Sequence, residues 1–234
     1  METKKEKFDF ISGEIILIDK PYRWTSFDVV KKIRKLIRYK YEIKKIKVGH
    51  AGTLDPLATG LIIVCTGKMT KKISALQSLH KEYVATIKLG ETTPSYDLET
   101  EKDRTYETSH ITRDLVENTL SQFTGVIEQI PPLYSAKLID GKRAYEYARK
   151  GDKSRMPDPS NVEIHTISTM KFDLPELVLH IKCGKGTYVR SIARDVGEAL
   201  QSGGHLTALK RTAIGPYSLE DALSIEDFEK KIIL

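Results

Sequence analysis

The segment Val48-Gly-His-Ala-Gly-Thr-Leu-Asp-Pro-Leu-Ala-Thr-Gly-Leu61 sets one histidine, His50, and one carboxylate, Asp55, among three glycines and other small residues. Pro56 biases the residue before it away from helix toward extended backbone, so Asp55 projects from a stiff loop. An Asp-Pro pair alone is most often a turn. The run of small residues is longer than a turn requires, and small residues let a bulky ligand approach the backbone. A carboxylate presented in this way can act as a covalent catalyst without a cofactor.

A second block, Cys183-Gly-Lys-Gly-Thr-Tyr-Val-Arg190, ends on an arginine, with Arg194 one helical turn further on. A Gly-x-Gly before a helix can cradle a phosphate. This one lacks both the six-residue dinucleotide fingerprint and the Walker pattern, so it is weak as a nucleotide site. The histidines at 50, 80, 110, 165, 180 and 205 show no metal-ligand spacing. His80 is read as a structural residue on the edge of an amphipathic helix. The chain shows no nucleophile elbow, paired Cys-His signature or kinase motif set.

The elements that must carry these residues are legible from periodicity. Glu14-Ile-Ile-Leu-Ile-Asp19 reads as a buried strand stopped by Lys20-Pro21. Thr25-Ser-Phe-Asp28 resembles a capping box opening a helix, with Val29, Val30, Ile33, Leu36 and Ile37 at helical spacing. The glycine-rich loop leads into the apolar run Leu61–Cys65, and a helix is expected over about residues 70–80. Lys81–Leu89 alternates as a half-buried strand with Tyr83, Ala85, Ile87 and Leu89 on one face. Thr112 caps a helix ended by Gly125, a short helix falls near 143–150, and strands are expected at 162–167 and 177–183. Val189, Ile192, Val196 and Leu200 form one face of a further helix, and a last one starts at Ser224. Strands and helices mix without strict alternation, which favours an α+β class.

Length and charge bound the rest. At 234 residues the chain holds one large domain or two small ones, and a single continuous domain is the simpler account. Forty per cent of the residues are hydrophobic and 30% are charged, as in a soluble globular protein. Cys65 and Cys183 are isolated in apolar runs, which argues against a disulfide scaffold or cysteine zinc site and fits a reducing cytosol. With no signal peptide and no span-length apolar segment, membrane, secreted, fibrous and disordered classes are excluded. The net charge of +6 is modest, but its distribution is uneven. Residues 1–50 carry 14 basic and 7 acidic side chains and residues 134–155 carry 7 and 3, whereas residues 91–130 carry 3 and 9. Such charge runs are often only solvated faces; the pattern admits a nucleic-acid partner without proving one.

Together these residues resemble the TruB-type tRNA pseudouridine synthases. Gly49-His-Ala-Gly-Thr-Leu-Asp-Pro-Leu-Ala-Thr-Gly60 resembles that family's signature loop, and Gly13-Glu-Ile-Ile-Leu-Ile-Asp-Lys-Pro21 with Thr25-Ser its N-terminal motif. Lys81-Glu-Tyr83 is similar to its Lys-x-Tyr strand, Gly184–Arg190 to its arginine motif, and Leu206–Ala213 to a later block. These matches run in family order over about residues 13–217.

The resemblance implies a central, mostly antiparallel mixed sheet of the pseudouridine synthase type, flanked by helices and loops. It divides the chain into a charged tail, 1–12, and a catalytic domain, 13–234, with a basic RNA-binding insertion at about 125–155. It implies that Asp55 is the nucleophile, that Tyr83 stacks on the target base and takes the C5 proton, and that Arg190 pairs with Asp55. Leu209 would pack in the base pocket, His50 would displace the flipped nucleotide, and Tyr188 would bind substrate. Asp97 would be a polar pocket residue, although the family's usual Thr-Asp-Thr there reads Thr93-Pro94-Ser95. Lys20 and Pro21 would support the nucleophile loop, and Lys137, Lys142 and Arg143 would grip the RNA. The implied partner is the T-arm of tRNA, with no metal, no cofactor and no membrane, for a cytoplasmic monomer. The 17 residues after Tyr217 are too few for the PUA-type RNA-binding domain that many members carry C-terminally.

Two other readings remain open at this stage. An RNA-binding or chaperone module without turnover would show the same basic segments. A hydrolase of glycosidic bonds would pair Asp55 with a second acid such as Asp97.

Overall fold

The computed structural model describes residues 8–152 and 154–233, in two compact units: residues up to Leu79 with Lys210–Leu234, and His80–Leu209. Residues 1–7 of the expected tail lie outside the described residues. The rest of that tail is packed: Phe10 is buried and stacked against Phe8.

In the first unit, β1 (Ile15–Lys20) alternates so that Ile16, Ile18 and Lys20 point inward. Helix α1 (Ser26–Lys40) opens on the expected capping box: the Asp28 amide donates to Thr25 Oγ1 and the Thr25 amide to Asp28 Oδ2, each at 3.0 Å. Its predicted apolar face is buried. Strand β2 (Val48–His50) and the almost wholly buried β3 (Ala58–Thr66) bracket the signature loop, and β3 runs antiparallel to β1. The helix expected over 70–80 is shorter. A 3₁₀ segment (Gly67–Lys72) precedes α2 (Ile73–Ser78), and extended backbone at Leu79 ends it, so His80 lies outside the helix.

The second unit begins with β4 (Lys81–Leu89), which buries every alternate residue, Tyr83 included. Short strands β5 (Glu91–Thr92) and β6 (Arg104–Thr105) pair around an acidic turn. Helix α3 (Arg113–Ser121) is capped by Thr112, as expected, and β7 (Gly125–Gln129) follows. In the basic insertion β8 (Leu138–Ile139) and β9 (Lys142–Arg143) form a hairpin leading to α4 (Ala144–Arg149). The long antiparallel pair β10 (Ser160–Asp173) and β11 (Glu176–Cys183) precedes α5 (Val189–Ala199). Strand β12 (Gly204–Ile214) closes this unit with residues 204–209. The order within the unit is β12, β4, β11, β10, β7.

Residues 210–214 of β12 belong to the first unit, where the order is β1, β3, β12 and β13 (Tyr217–Ser218) pairs with β12. Helix α6 (Ile225–Ile233) returns Phe228 to a core shared with Phe10, Ile33 and Ile62. The class is α+β, with mostly antiparallel strands and a parallel bridge at Ile18 and Leu223. Among the described residues no helix is long and apolar enough to cross a membrane.

Candidate active site

Asp55 is half-buried at the tip of the loop between β2 and β3. Hydrogen bonds tie the backbone on either side of it. Ser26, the first residue of α1, exchanges hydrogen bonds with Leu54: the Leu54 amide donates to Ser26 Oγ at 2.9 Å, and that hydroxyl donates to the Leu54 carbonyl at 3.1 Å. The Pro56 carbonyl accepts from the Arg23 amide at 2.8 Å and from Lys20 Nζ at 3.3 Å. The Asp55 carbonyl accepts from the Ala58 amide.

Lys20 is wholly buried, and all three of its ammonium donors are used: Pro21 O at 3.0 Å, Trp24 O at 2.7 Å and Pro56 O. Burial pushes its pKa down to about 8, against the attraction of the Asp55 carboxylate. Lys20 is a saturated buried cation gripping the backbone on the C-terminal side of Asp55. Arg211, on β12, is also buried, and its Nε, Nη1 and Nη2 donate to the carbonyls of Leu61 (2.7 Å), Thr53 (3.3 Å) and Gly52 (3.3 Å). Burial lowers the pKa of His50; a Gly52 backbone hydrogen bond opposes this and the Arg211 charge adds to it, so the ring is mostly neutral at pH 7.

The second unit carries the arginine. Arg190, in the first turn of α5, is buried; its Nη1 donates to Tyr134 O at 2.9 Å and Ser95 O at 3.4 Å, and its Nε lies 3.7 Å from Asp97 Oδ2. Asp97 is held in turn: its Oδ1 accepts the Glu99 amide at 2.9 Å, and its carbonyl accepts the hydroxyls of Thr93 (2.7 Å) and Ser95 (3.2 Å). Arg194 lies over the Tyr96 ring and donates to Asp195. Just ahead of α5, the Tyr188 amide donates to Gln129 Oε1 at 2.8 Å, and Gln129 Nε2 returns to the Tyr188 carbonyl at 3.2 Å. Tyr83 is buried on β4, and Leu209 is half-buried on β12.

Asp55, His50 and Lys20 therefore belong to the first unit, while Tyr83, Asp97, Tyr188, Arg190 and Leu209 belong to the second. Lys137, Lys142 and Arg143 are exposed in the basic insertion, and Arg143 spends one guanidinium nitrogen on the Ala136 carbonyl. Among the described residues no group of His, Cys, Asp and Glu is arranged to hold a metal ion.

The amino-acid sequence is matched by known families. The profile of the TruB family pseudouridylate synthase N-terminal domain covers residues 38–189, and that of the tRNA pseudouridylate synthase B C-terminal domain covers 190–234. The chain belongs to the TruB family. Its resemblance to the family extends beyond Tyr217 to the last residue. The tRNA pseudouridine synthase B of Phocaeicola vulgatus is 56% identical over 94% of this chain and 93% of its own. That of Flavobacterium johnsoniae is 49% identical over 96% and 98%. Among solved structures, a Cbf5-Nop10-Gar1 complex matches with a TM-score of 0.71 at 27% identity. An H/ACA RNP bound to a substrate RNA containing 2'-deoxyuridine matches at 0.68 and 25%. Each match covers 94% of this TruB-family chain and 54% of the solved one, so the chain spans about half the length of those structures.

Sequence reasoning missed Ser26, Gln129 and Arg211 as support for the site. Ser26 and Arg211 left a trace, in the Thr25-Ser motif and in the block Leu206–Ala213, and Gln129 left none.

Proposed function

We propose that this TruB-family chain isomerises the uridine at position 55 in the T-loop of tRNA to pseudouridine, with Asp55 as nucleophile. The observation that carries this reading is the site of Asp55 itself. Asp55 as a residue is only partly buried, while its loop backbone is fixed by Lys20, Ser26 and Arg211. A nucleophile needs that combination of access and fixed aim.

The reaction breaks the N–C1′ bond and forms a C5–C1′ bond, with the C5 proton leaving for solvent and N1 gaining one. Atoms and electrons balance without a redox partner or hydrolysis. A carboxylate supplies the covalent catalyst. In this reading Arg190 pairs with Asp55 and fixes its rotamer. The target base leaves its stack, at a cost of about a few kcal/mol, and stacking on Tyr83 recovers part of it. Tyr83 then receives the C5 proton, Leu209 and Tyr188 enclose the base, and neutral His50 fills the space the flipped nucleotide leaves.

RNA grip follows from charge. Arg23, Trp24, Asp28, Lys31, Lys32 and Lys35 line a cleft of about 420 Å³ beside α1, with cationic side chains in excess. Lys137, Lys142 and Arg143 of the insertion offer phosphates a basic surface of their own. The hydrolase alternative has less support, since Asp97 is buried and committed to Arg190 and the Glu99 amide.

Tritium release from C5 of labelled uridine in a T-arm minihelix tests the proposal, with wild-type and Asp55→Asn protein side by side. Release by wild type alone is expected. Binding without release would point to an RNA-binding module, and free uracil would point to the hydrolase.

A further inference from the structure

We propose that Arg211 is a positioning residue for Asp55, a fork that locks both limbs of the nucleophile loop; the inference rests on the catalytic reading of Asp55. Arg211 is the largest of the fully buried side chains, with 1% of its surface exposed. A guanidinium is costly to take out of water and persists only where its N–H groups find strong acceptors. Here the acceptors are backbone carbonyls, and their positions along the chain are telling. Gly52 and Thr53 lie just before Asp55, and Leu61 lies after it on β3. The planar fork therefore spans the mouth of the loop and fixes the separation of its two limbs.

No other side chain described at this loop does so. Lys20 reaches Pro56 alone among the loop's residues, and Ser26 reaches Leu54 alone. The fork is itself fixed from behind. Gly60 has φ +103°, and a Cβ there would meet the Arg211 carbonyl oxygen at 2.3 Å and its amide nitrogen at 2.8 Å. The backbones of β3 and β12 thus lie in close contact at the point where Arg211 leaves its strand. Asp55 sits between the points held by Arg211 and those held by Lys20, so its direction is set before any ligand arrives.

Lysine cannot replace such a fork. An ammonium is a point donor and cannot span Leu61 on one limb and Thr53 on the other. A merely structural arginine would affect melting temperature and leave the rate per folded molecule intact, whereas a positioning arginine affects that rate at saturating RNA. The test compares wild type, Arg211→Lys and Arg211→Met in single-turnover conversion of a T-arm minihelix, with Kd and melting temperature measured on the same preparations. The Met variant is expected to lose about a hundredfold in rate at saturation, the scale of a 1 Å misplacement. The Lys variant is expected to lose at least about tenfold, and both should keep Kd within about threefold.

A folded variant converting within threefold of wild type would overturn the proposal, as would a loss confined to Kd. If Met fails to fold, the Lys variant decides; if neither folds, the role is structural and the proposal falls. A wild-type protein that binds the minihelix without converting it overturns the catalytic reading beneath, which is a separate result.

Discussion

The Nε of Arg190 lies 3.7 Å from Oδ2 of Asp97, with both side chains less than a tenth exposed. The pair joins the first turn of α5 to the acidic turn after β5, and the Ser95 carbonyl on the same guanidinium reinforces the link. Removing one member of a buried pair strands the other charge, which typically costs about 3 kcal/mol or more. Asp97→Asn keeps the shape and should lower unfolding free energy by about 2–3 kcal/mol, with a clear loss of turnover. Urea denaturation checks the first and single-turnover conversion the second. Unchanged stability would show that the pair is not the tie described here.

Asp55→Asn removes the proposed nucleophile and leaves the loop hydrogen bonds made by Lys20, Ser26 and Arg211, which run to backbone atoms. Conversion should fall below detection, while tRNA affinity stays within a few-fold. Filter binding alongside tritium release measures both. Turnover near the wild-type rate would mean that another group attacks.

Lys20 gives the site a pH signature. Its pKa in the folded protein, about 8, lies below the 10.5 of a free lysine. As pH rises through about 8 the ammonium loses a proton and keeps too few donors for three carbonyls, so the rate at saturating RNA should drop there. Stability moves the other way. Between about 8 and 10.5 the unfolded chain binds more protons than the folded one at this residue, so this group raises folding stability as pH rises. A rate that falls while the melting temperature holds separates loop loosening from unfolding. In Lys20→Met the alkaline limb should vanish along with most of the activity.

The basic cleft beside α1 predicts a binding effect without a chemical one. Lys32 is engaged with Glu229 at 3.0 Å, so Lys31 and Lys35 are the better targets. Reversing both to Glu should weaken tRNA binding about tenfold or more at 0.1 M salt. It should also flatten the salt dependence by roughly 0.7–0.9 in log–log slope for each phosphate no longer neutralised. The rate at saturating RNA should be unchanged. The double variant Lys142→Glu with Arg143→Glu, in the insertion, should behave alike. A loss of rate with normal Kd would contradict this division of labour.

Much of this molecule was legible in the sequence where local pattern and burial agree. The alternation of Lys81–Leu89 gave β4 with Tyr83 on its buried face, and Thr25 with Asp28 marked the start of α1. The small residues around Asp55 pointed to the loop that now carries the candidate nucleophile. Strand β12 escaped because it buries Arg211, and hydropathy reads a lone arginine as solvent-facing. Its burial depends on carbonyls at 52, 53 and 61, which no local window contains. Strand β7 escaped because Gly125 looked only like a helix stop. The altered Thr93-Pro94-Ser95 looked like a departure at the site. Thr93 and Ser95 both grip the Asp97 carbonyl, so hydroxyls at the two ends suffice for that grip whatever stands between them.

Lys20 and Arg211 hold the Asp55 loop through main-chain oxygens, which every amino acid supplies. The side chains of the exposed Thr53 and half-exposed Leu57 are therefore free to vary without loosening the grip. A glycine such as Gly60, where another backbone lies within touching distance, has no such freedom. The anchorage is indifferent to what the loop spells and strict about the path it takes. An engineer could retune the surroundings of Asp55, residue by residue, while its aim stays put.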